Sequence, residues 1–187
     1  MRLTLVTAPP KEPVTLTEMK AHLRVDVADD DALIQSKISA ARQYAEQVTR
    51  RAFITQTWEL ALDRAPVEIE VPLPALREVT KIEVVDVAGA RAEVPASSYW
   101  VELAAGSCGR VRLRDSMTWP AHRGFASFVI TFKAGYGDSE MNVPEQIREA
   151  IRKHVTIFYE NREAVASEMR EVDALLFPYK VFRRSPA

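Results

Sequence analysis

The chain has a single cysteine, Cys108, few glycines and no long apolar run among its 187 residues. One cysteine excludes an intrachain disulfide and any metal site built from several cysteines. A membrane-spanning helix needs about 20 consecutive apolar residues, and no stretch of the sequence approaches that length. The N-terminus reaches its first prolines before a signal-peptide core can form. We therefore expect a soluble protein that is made inside the cell.

The chain also lacks a large net charge, because its 25 Lys and Arg side chains nearly balance its 26 Asp and Glu side chains. A protein that binds nucleic acid without regard to sequence does so through a basic surface that contacts phosphates. No long segment of this chain is basic as a whole. We interpret the two densest basic runs, Arg110-Arg112-Arg114 and Arg183-Arg184, as solvated charges. The sequence thus argues against strong, sequence-independent binding to DNA.

Proline outnumbers glycine by 11 to 6, which is an unusual balance for turn residues. Because proline fixes the backbone angle φ, connections rich in proline are stiff. Stiff connections suit a structural component more than a mobile catalyst. A chain of this length buries roughly 70% of its unfolded surface as one domain, so it needs no disulfide or metal to fold.

The N-terminal part of the chain predicts two helices. Thr15 and Glu18 have the spacing of a capping box, and the apolar residues that follow predict a helix at about 16–24. Asp29-Asp30-Asp31 then places acidic groups at the start of a second helix, where the helix dipole favours them. Apolar positions continue at helical spacing to about Arg51; they are Ile34, Ile38, Ala41, Ala45 and Val48.

From Ile54 the hydrophobic period changes from 3.6 residues to two, which is typical of strands. Six short candidate strands follow, and Gly135-Tyr136-Gly137 closes the series as a turn. The candidates lie at about 54–63, 67–71, 81–87, 98–103, 109–114 and 126–133. Short strands joined by tight turns predict a mostly antiparallel β unit.

After the β unit, Pro144 marks another helix start, and a broad apolar stripe continues from Ile147 to Phe158. The last 25 or so residues are too apolar for a disposable tail, so they either fold back onto the body or dock on a partner as an interaction segment. The sequence therefore predicts a single α+β domain in which a helix pair and a later long helix form a bundle, with the β unit inserted between them in the sequence. Its parts are a helical region at 14–53, the β unit at 54–137, a helix at 142–162 and a C-terminal interaction tail at 163–187.

Catalysis and metal binding need convergent polar groups, and the sequence shows none at the required spacing. His22, His122 and His154 each lack a second ligand on the same element, so we interpret them as packed or surface histidines. Cys108 has no nearby base and reads as a turn cysteine, and Asp29-Asp30-Asp31 is explained by the helix start. Glycine-rich phosphate loops and nucleophile elbows are absent. We expect no catalytic residue, cofactor or metal ion.

Several segments, taken in order, resemble the head-tail connector (adaptor) proteins of long-tailed bacteriophages and prophages. Near the N-terminus the resemblance is carried by residues 13–25, 32–34 and 49–60. Later it is carried by residues 132–137, 143–144 and 159–163. These pieces cover almost the whole chain in the order that the family shows.

The resemblance implies a structural virion protein that is not an enzyme. Members of this family form rings, usually dodecamers, beneath the portal of the DNA-filled head, where they extend the DNA channel. Gene transfer agents, which are phage-like particles, use similar adaptors. The implied partners are further copies of the chain, the portal, a stopper or tail-terminator protein, and double-stranded DNA that passes without specific binding. The implied location is the head-tail interface of a virion assembled in the host cytoplasm, with no membrane involved.

In related connectors the C-terminal segment inserts into the portal, and here it corresponds to about Val172 to Arg184. The residues expected to contact the portal are Leu175, Leu176, Phe177, Tyr179, Val181, Phe182, Arg183 and Arg184. Deleting the residues after Val172 is expected to leave the fold intact and to prevent docking. The carboxylates of Asp29 to Asp31, or those of Glu68 and Glu70, are expected to face the channel and to repel phosphate.

Two alternatives remain open at this point. One is a small hydrolase or transferase with a dispersed active site, which would be a compact monomer with a deep polar pocket. The other is a neighbouring virion component, such as a stopper or tail-completion protein. The long N-terminal helical region argues mildly against a stopper, because stoppers are often shorter and predominantly β.

Overall fold

The computed structural model describes residues 1–64, 66–104, 107–161 and 166–182, and these residues form two compact units. The first, which we call the sheet unit, contains Met1–Pro10 and Thr55–Tyr136. The second, which we call the helical unit, contains Lys11–Ile54 and Gly137–Ala187. Each unit is thus assembled from two separate stretches of chain. The sequence analysis predicted a single connector domain. That grouping of the two units into one domain remains a prediction.

The sheet unit is built from eight strands in the described residues. In chain order they are β1 (Arg2–Thr7), β2 (Gln56–Leu62), β3 (Glu68–Val71), β4 (Leu76–Val85), β5 (Arg91–Glu93), β6 (Tyr99–Glu102), β7 (Gly109–Leu113) and β8 (Phe128–Ala134). Five of them form a sheet in the order β1-β2-β8-β4-β5, and the other three form a sheet in the order β3-β7-β6. Neighbouring strands in both sheets are antiparallel, as the sequence predicted.

The five-stranded sheet is centred on β8, whose apolar run is buried along almost its entire length. The register places Ile130 of β8 opposite Leu60 of β2 and Ile82 of β4. All three side chains are fully buried, so they form a core row across the middle of the sheet. Burial on both faces explains why β8 reads as a continuous apolar segment and not as an alternating one.

The three-stranded sheet follows the alternation that the sequence predicted. Ile69, Val111 and Leu113 are buried on one face, whereas Arg110 and Arg112 point to the other. A Cβ atom at Gly109 would clash with the Leu76 side chain. Glycine is therefore required there by the close approach of β7 to the start of β4.

The helical unit contains α1 (Leu16–Leu23), α2 (Asp31–Thr49), α3 (Glu145–Glu160) and α4 (Ala166–Leu176). The predicted capping box is present at α1: the Glu18 amide donates to Thr15 Oγ1 at 3.2 Å, and the Thr15 amide donates to Glu18 Oε2 at 2.8 Å. The predicted apolar face of α2 is also confirmed, with Ile34 and Ile38 fully buried. Opposite them lie the buried positions of α3, which are Ile147, Ala150, Ile151 and Val155.

The mixed α+β fold class is confirmed, but the structure adds elements that the sequence interpretation missed. β1 lies before the prolines in a segment that was given no secondary structure. α4 occupies part of the region expected to be a tail. Among the described residues, no helix combines the length and the apolar content that a membrane span needs.

Candidate docking segment at the C-terminus

Six of the eight residues predicted to contact the portal fall in one continuous stretch, residues 166–182, which we call the C-terminal segment. It consists of α4, a short 3₁₀ turn at Phe177–Tyr179 and three further described residues. α4 packs on α3 and α2 of the same unit. Val172 and Leu176, one helical turn apart, are buried in that contact, with exposed fractions of 1% and 0%. The segment is therefore anchored to its own unit by an apolar stripe.

Polar contacts anchor the segment further. The Tyr44 hydroxyl of α2 donates to Asp173 Oδ1 at 2.8 Å, and the Tyr179 hydroxyl donates to Gln146 Oε1 at 3.0 Å. Burial, together with the bond to Asp173, raises the pKa of Tyr44 to about 12, so this hydroxyl stays protonated as a donor. Arg51 Nε donates to the Tyr179 carbonyl oxygen at 2.6 Å. The chain after α4 is thus held in place by both side-chain and backbone groups.

Phe177 and Phe182 differ from the rest of the segment because their rings are exposed, at 63% and 69%. Their centroids are 6.1 Å apart in an edge-to-face arrangement. The amide of Val181 donates to the Thr49 carbonyl oxygen at 3.0 Å, which fixes the backbone just before Phe182. An exposed aromatic pair on an anchored backbone is a ready binding surface, since large aromatic side chains dominate the energetics of many interfaces.

The eight predicted contact residues therefore divide by their surroundings. Leu176 is a core residue of the helical unit, and Leu175, Tyr179 and Val181 are half-buried. Phe177 and Phe182 are exposed, while Arg183 and Arg184 lie outside the described residues. Some of the apolar residues that suggested a docking tail pack in the core of the helical unit, and others face solvent. The sequence alone did not distinguish the two groups.

The burial of Leu176 argues against the expectation that deletion after Val172 leaves the fold intact. The deletion would remove Leu176 from the core together with the hydrogen bonds of Tyr179 and Val181. Removing a buried leucine side chain alone costs about 2–5 kcal/mol. Docking is therefore better tested by substituting exposed residues of the segment than by deleting the segment.

His154 of α3 is buried in the helical unit, with an exposed fraction of 9%. Its ring centroid is 4.9 Å from that of Tyr44 and 4.9 Å from that of Phe158. Nδ1 is buried without a hydrogen-bond partner among the described residues. Desolvation by burial lowers the pKa of His154 below its usual 6.5, although the charge of Asp173 partly opposes the shift. The interpretation of His154 as a packed histidine agrees with these contacts.

Two buried arginines, which the sequence analysis missed, fix the N-terminal residues of the helical unit. Arg148 Nε donates to the Pro13 carbonyl oxygen at 3.0 Å, and its other nitrogens contact Glu18 and Glu145. Burial alone would raise the pKa of Glu18, but hydrogen bonds from Thr15 and the charge of Arg148 outweigh it and lower the pKa. The contacts of Arg148 with Pro13 and Glu18 join residues more than 100 positions apart, so local spacing gives no sign of them.

Arg42 of α2 makes the second of these clusters, with its Nε 2.7 Å from Glu12 Oε2 and its Nη1 2.6 Å from Glu46 Oε2. Glu12 also accepts a hydrogen bond from the Ser39 hydroxyl at 2.7 Å. The cluster holds the chain that enters the helical unit against the side of α2. We assign it a structural role, because each charge in it has a partner of opposite sign.

In the basic run Arg110-Arg112-Arg114, carboxylates compensate the charge of Arg110. Arg110 lies 3.0 Å from Glu68 and 2.6 Å from Glu102, and the Arg114 guanidinium lies 5.3 Å from the centre of the Trp100 ring. This arrangement agrees with the interpretation of the run as solvated strand charges.

Two of the three acidic residues at the start of α2 have partners, namely Asp30 and Asp31. Asp31 lies 2.5 Å from Lys20 Nζ, and Asp30 Oδ2 accepts from the Tyr159 hydroxyl at 2.6 Å. Within the described ranges, no three His, Cys, Asp or Glu side chains come together as a metal site would require.

Comparison with known proteins identifies relatives of both the sequence and the fold. Residues 13–93 match the family model of the phage gp6-like head-tail connector proteins. No curated protein sequence matches the chain. A chain in the neck of an empty gene transfer agent (GTA) particle, computed with C6 symmetry, is 28% identical, with a TM-score of 0.86. The alignment covers 100% of this chain and 99% of that one.

Two further solved structures have the same coverage, 100% of this chain and 99% of theirs. One is a chain from the virion of a native gene transfer agent particle, at 28% identity and a TM-score of 0.85. The other is from the neck of a native particle computed with C12 symmetry, at 26% identity and a TM-score of 0.84. The resemblance to head-tail connector proteins is therefore confirmed, in sequence over residues 13–93 and in fold along the whole chain.

Proposed function

We propose that this chain is a structural virion protein, a head-tail connector or adaptor that lies at the junction of head and tail. The agreement in fold along 100% of the chain with a protein of the gene transfer agent neck carries this proposal. The family match over residues 13–93 supports it independently. The connector extends the DNA channel beneath the portal and links the head to the stopper and the tail.

The working form of the protein is a ring of identical subunits, and twelve is the proposed number. Similar chains occur in necks computed with C6 and C12 symmetry, and twelve subunits satisfy both. In such a ring every subunit makes the same head-to-tail contact, so one weak interface is repeated and closed by symmetry. The stopper or tail-terminator protein binds the tail side of the ring.

The portal is the proposed partner of the C-terminal segment. Phe177 and Phe182 supply the exposed apolar surface, and the basic pair Arg183-Arg184 follows directly in the sequence. Leu175, Tyr179 and Val181 are half-buried beside them and set the backbone from which the two rings project. Leu176 does not contact the portal in this proposal; it packs in the core of the helical unit and so holds the segment in place.

Double-stranded DNA passes through the ring without being bound. The chain has a net charge of -1, and Arg110 is compensated by Glu68 and Glu102. Affinity of a protein for DNA rises with the number of phosphates that its cations neutralise, so a charge-balanced subunit retains DNA weakly. Either Glu70 or Asp29 supplies the carboxylate that we assign to the channel wall, because Glu68, Asp31 and Asp30 bind Arg110, Lys20 and Tyr159.

Catalysis has no part in the proposed function. The hydrolase or transferase alternative gains no support from the family match or from the similar structures, which belong to structural proteins of a particle. A stopper or tail-completion protein is less well supported than an adaptor, because the similarity to the neck proteins extends over the complete helical and sheet units.

Quantitative mass spectrometry of purified particles tests the proposal. Peptides of this chain are measured against peptides of the portal and of the major capsid protein, each calibrated with isotope-labelled standards. We expect one copy of this chain for each portal subunit, which gives twelve in each particle. Absence of the chain from purified particles, or a copy number comparable to that of the capsid protein, contradicts the proposal.

A further inference from the structure

Strand β1 contributes almost nothing to the core of its own unit. Five of its six residues are exposed, and Leu3 is half-buried. Leu5 and Val6 are exposed at 42% and 53%. The neighbouring strand β2 differs, since Leu60, which lies opposite Leu3, is fully buried. The strand is thus held mainly by its backbone pairing with β2.

β1 also forms one edge of the five-stranded sheet. It pairs with β2 on one side, and its other side carries backbone N–H and C=O groups that no described strand of this chain pairs. Natural proteins usually protect such an edge from pairing with other molecules. They do so with inward-pointing charges, with lysine or proline, or with a helix or loop that covers the edge. β1 has one charged residue, Arg2, and one irregularity in its register, between Leu5 and Thr7. An apolar edge with so little protection is expected to be covered in the working assembly.

The opposite edge of the same sheet is formed by β5, and it offers a matching surface. All three residues of β5 are exposed. Arg91 lies 3.5 Å from Glu83, which also binds Lys81 at 3.0 Å, so this edge carries the basic Arg91 and the acidic Glu93. The β1 edge carries the basic Arg2 and no acidic residue. The two edges are therefore complementary in backbone hydrogen bonding, and Arg2 of one edge and Glu93 of the other offer one pair of opposite charges.

A ring requires each subunit to present two different surfaces that fit one another, because its contacts run head to tail. The edges β1 and β5 are two such surfaces on one sheet. We propose that β1 of one copy is covered by the β5 edge of the next copy, so that the sheet continues from subunit to subunit around the ring. This inference rests on the ring that the proposed function requires.

Photo-crosslinking in assembled particles tests the contact. An amino acid that carries a benzophenone group replaces Val6, particles are purified and irradiated, and cross-linked species are digested and identified by mass spectrometry. We expect covalent dimers of this chain in which position 6 is joined to a peptide that contains residues 83–94. Cross-links to a different virion protein, to another part of this chain, or to nothing overturn the inference. Absence of the chain from the particles overturns the proposed function instead.

A charge placed at the edge provides a second test. Val6→Lys puts a solvated charge where the next subunit is proposed to lie, whereas Val67→Lys makes the same change at a valine of similar exposure, 61%, in the same unit. We expect Val6→Lys to reduce incorporation into particles at least tenfold and Val67→Lys to leave it within twofold, with equal thermal stability of both purified chains. Equal incorporation of the two variants overturns the inference.

Discussion

Phe177 and Phe182 are the two large apolar side chains of the C-terminal segment that stay open to solvent. Their neighbour Leu176 is fully buried, so adjacent positions serve different purposes. The core position stabilises the helical unit, and the exposed pair is available to a partner. Substitutions at the two kinds of position therefore separate folding from binding.

At the exposed pair, the double substitution Phe177→Ser and Phe182→Ser is expected to weaken binding of the purified protein to portal rings. Aromatic side chains at the centre of an interface contribute about 2 kcal/mol or more each, which corresponds to a loss of at least tenfold in affinity. Phe125→Ser, at a phenylalanine that is 75% exposed in the sheet unit, is the matched control. Portal affinity that is equal in the double variant and the control contradicts the assignment.

At the core position, Leu176→Ala is expected to lower the free energy of unfolding by about 2–5 kcal/mol, because it leaves a cavity between α4 and the other helices. The adjacent Phe177→Ala removes an exposed ring and is expected to change that free energy by less than about 0.5 kcal/mol. Urea denaturation followed by circular dichroism measures both. Similar values for the two variants would show that α4 does not pack as described.

His154 links stability to pH. Because burial lowers its pKa in the folded protein, the unfolded chain takes up a proton first, near the usual 6.5. The stability that the neutral ring contributes is present above that pH and is lost as the pH falls from 6.5 toward the lowered value. We expect His154→Phe, which keeps the ring contacts, to show a smaller fall in Tm between pH 7 and pH 5 than the unchanged protein. An identical fall in both proteins rules out this role.

At the scale of elements, the buried Arg148 fastens the chain before α1 to the start of α3. Arg148→Met keeps the length of the side chain but leaves the Pro13 carbonyl oxygen without its side-chain donor and Glu18 with its bonds to Thr15 alone. Since an unsatisfied buried group costs about 1–3 kcal/mol, we expect a loss of that size in the free energy of unfolding.

Arg152→Met is the control for this change, because Arg152 binds Glu145 and Glu149 nearer the surface of the same helix. Ion pairs of that kind contribute about 0–1 kcal/mol. Thermal or urea denaturation compares the two variants. A loss at Arg152 that equals or exceeds the loss at Arg148 contradicts the proposed anchoring of α1.

The elements that the sequence predicted are those whose signals are local. Thr15 and Glu18 are three residues apart, and Ile34 and Ile38 are four apart, so the capping box and the buried face of α2 were found from spacing. β1 was missed because it is only six residues long and its alternation is limited to Leu3-Thr4-Leu5.

The candidate site was predicted less completely than the helices. The apolar residues near the C-terminus indicated an interaction, but Leu176 and Phe177 look alike in the sequence and differ entirely in burial. Only tertiary contacts, such as that of Tyr44 with Asp173 129 positions later, decide which residue faces inward. A local sequence pattern does not predict contacts between residues so far apart in the chain.

At the scale of the whole molecule, the chain combines a charge-balanced composition with the fold of a particle neck protein. The family match covers residues 13–93, whereas the fold agreement extends over 100% of the chain. The exposed features described above, an open sheet edge and an aromatic pair, are of use to a protein that works in an assembly. In the proposed assembly, the sheet edge contacts the next subunit and the aromatic pair contacts the portal.

The most direct measurement is electron microscopy of particles produced by a strain that lacks this gene. If the chain is the connector, the strain is expected to accumulate DNA-filled heads without tails, and a plasmid copy of the gene is expected to restore tailed particles. The plasmid copy that carries Phe177→Ser and Phe182→Ser is expected to restore them poorly. Complete tailed particles at the normal yield from the deletion strain would contradict the account.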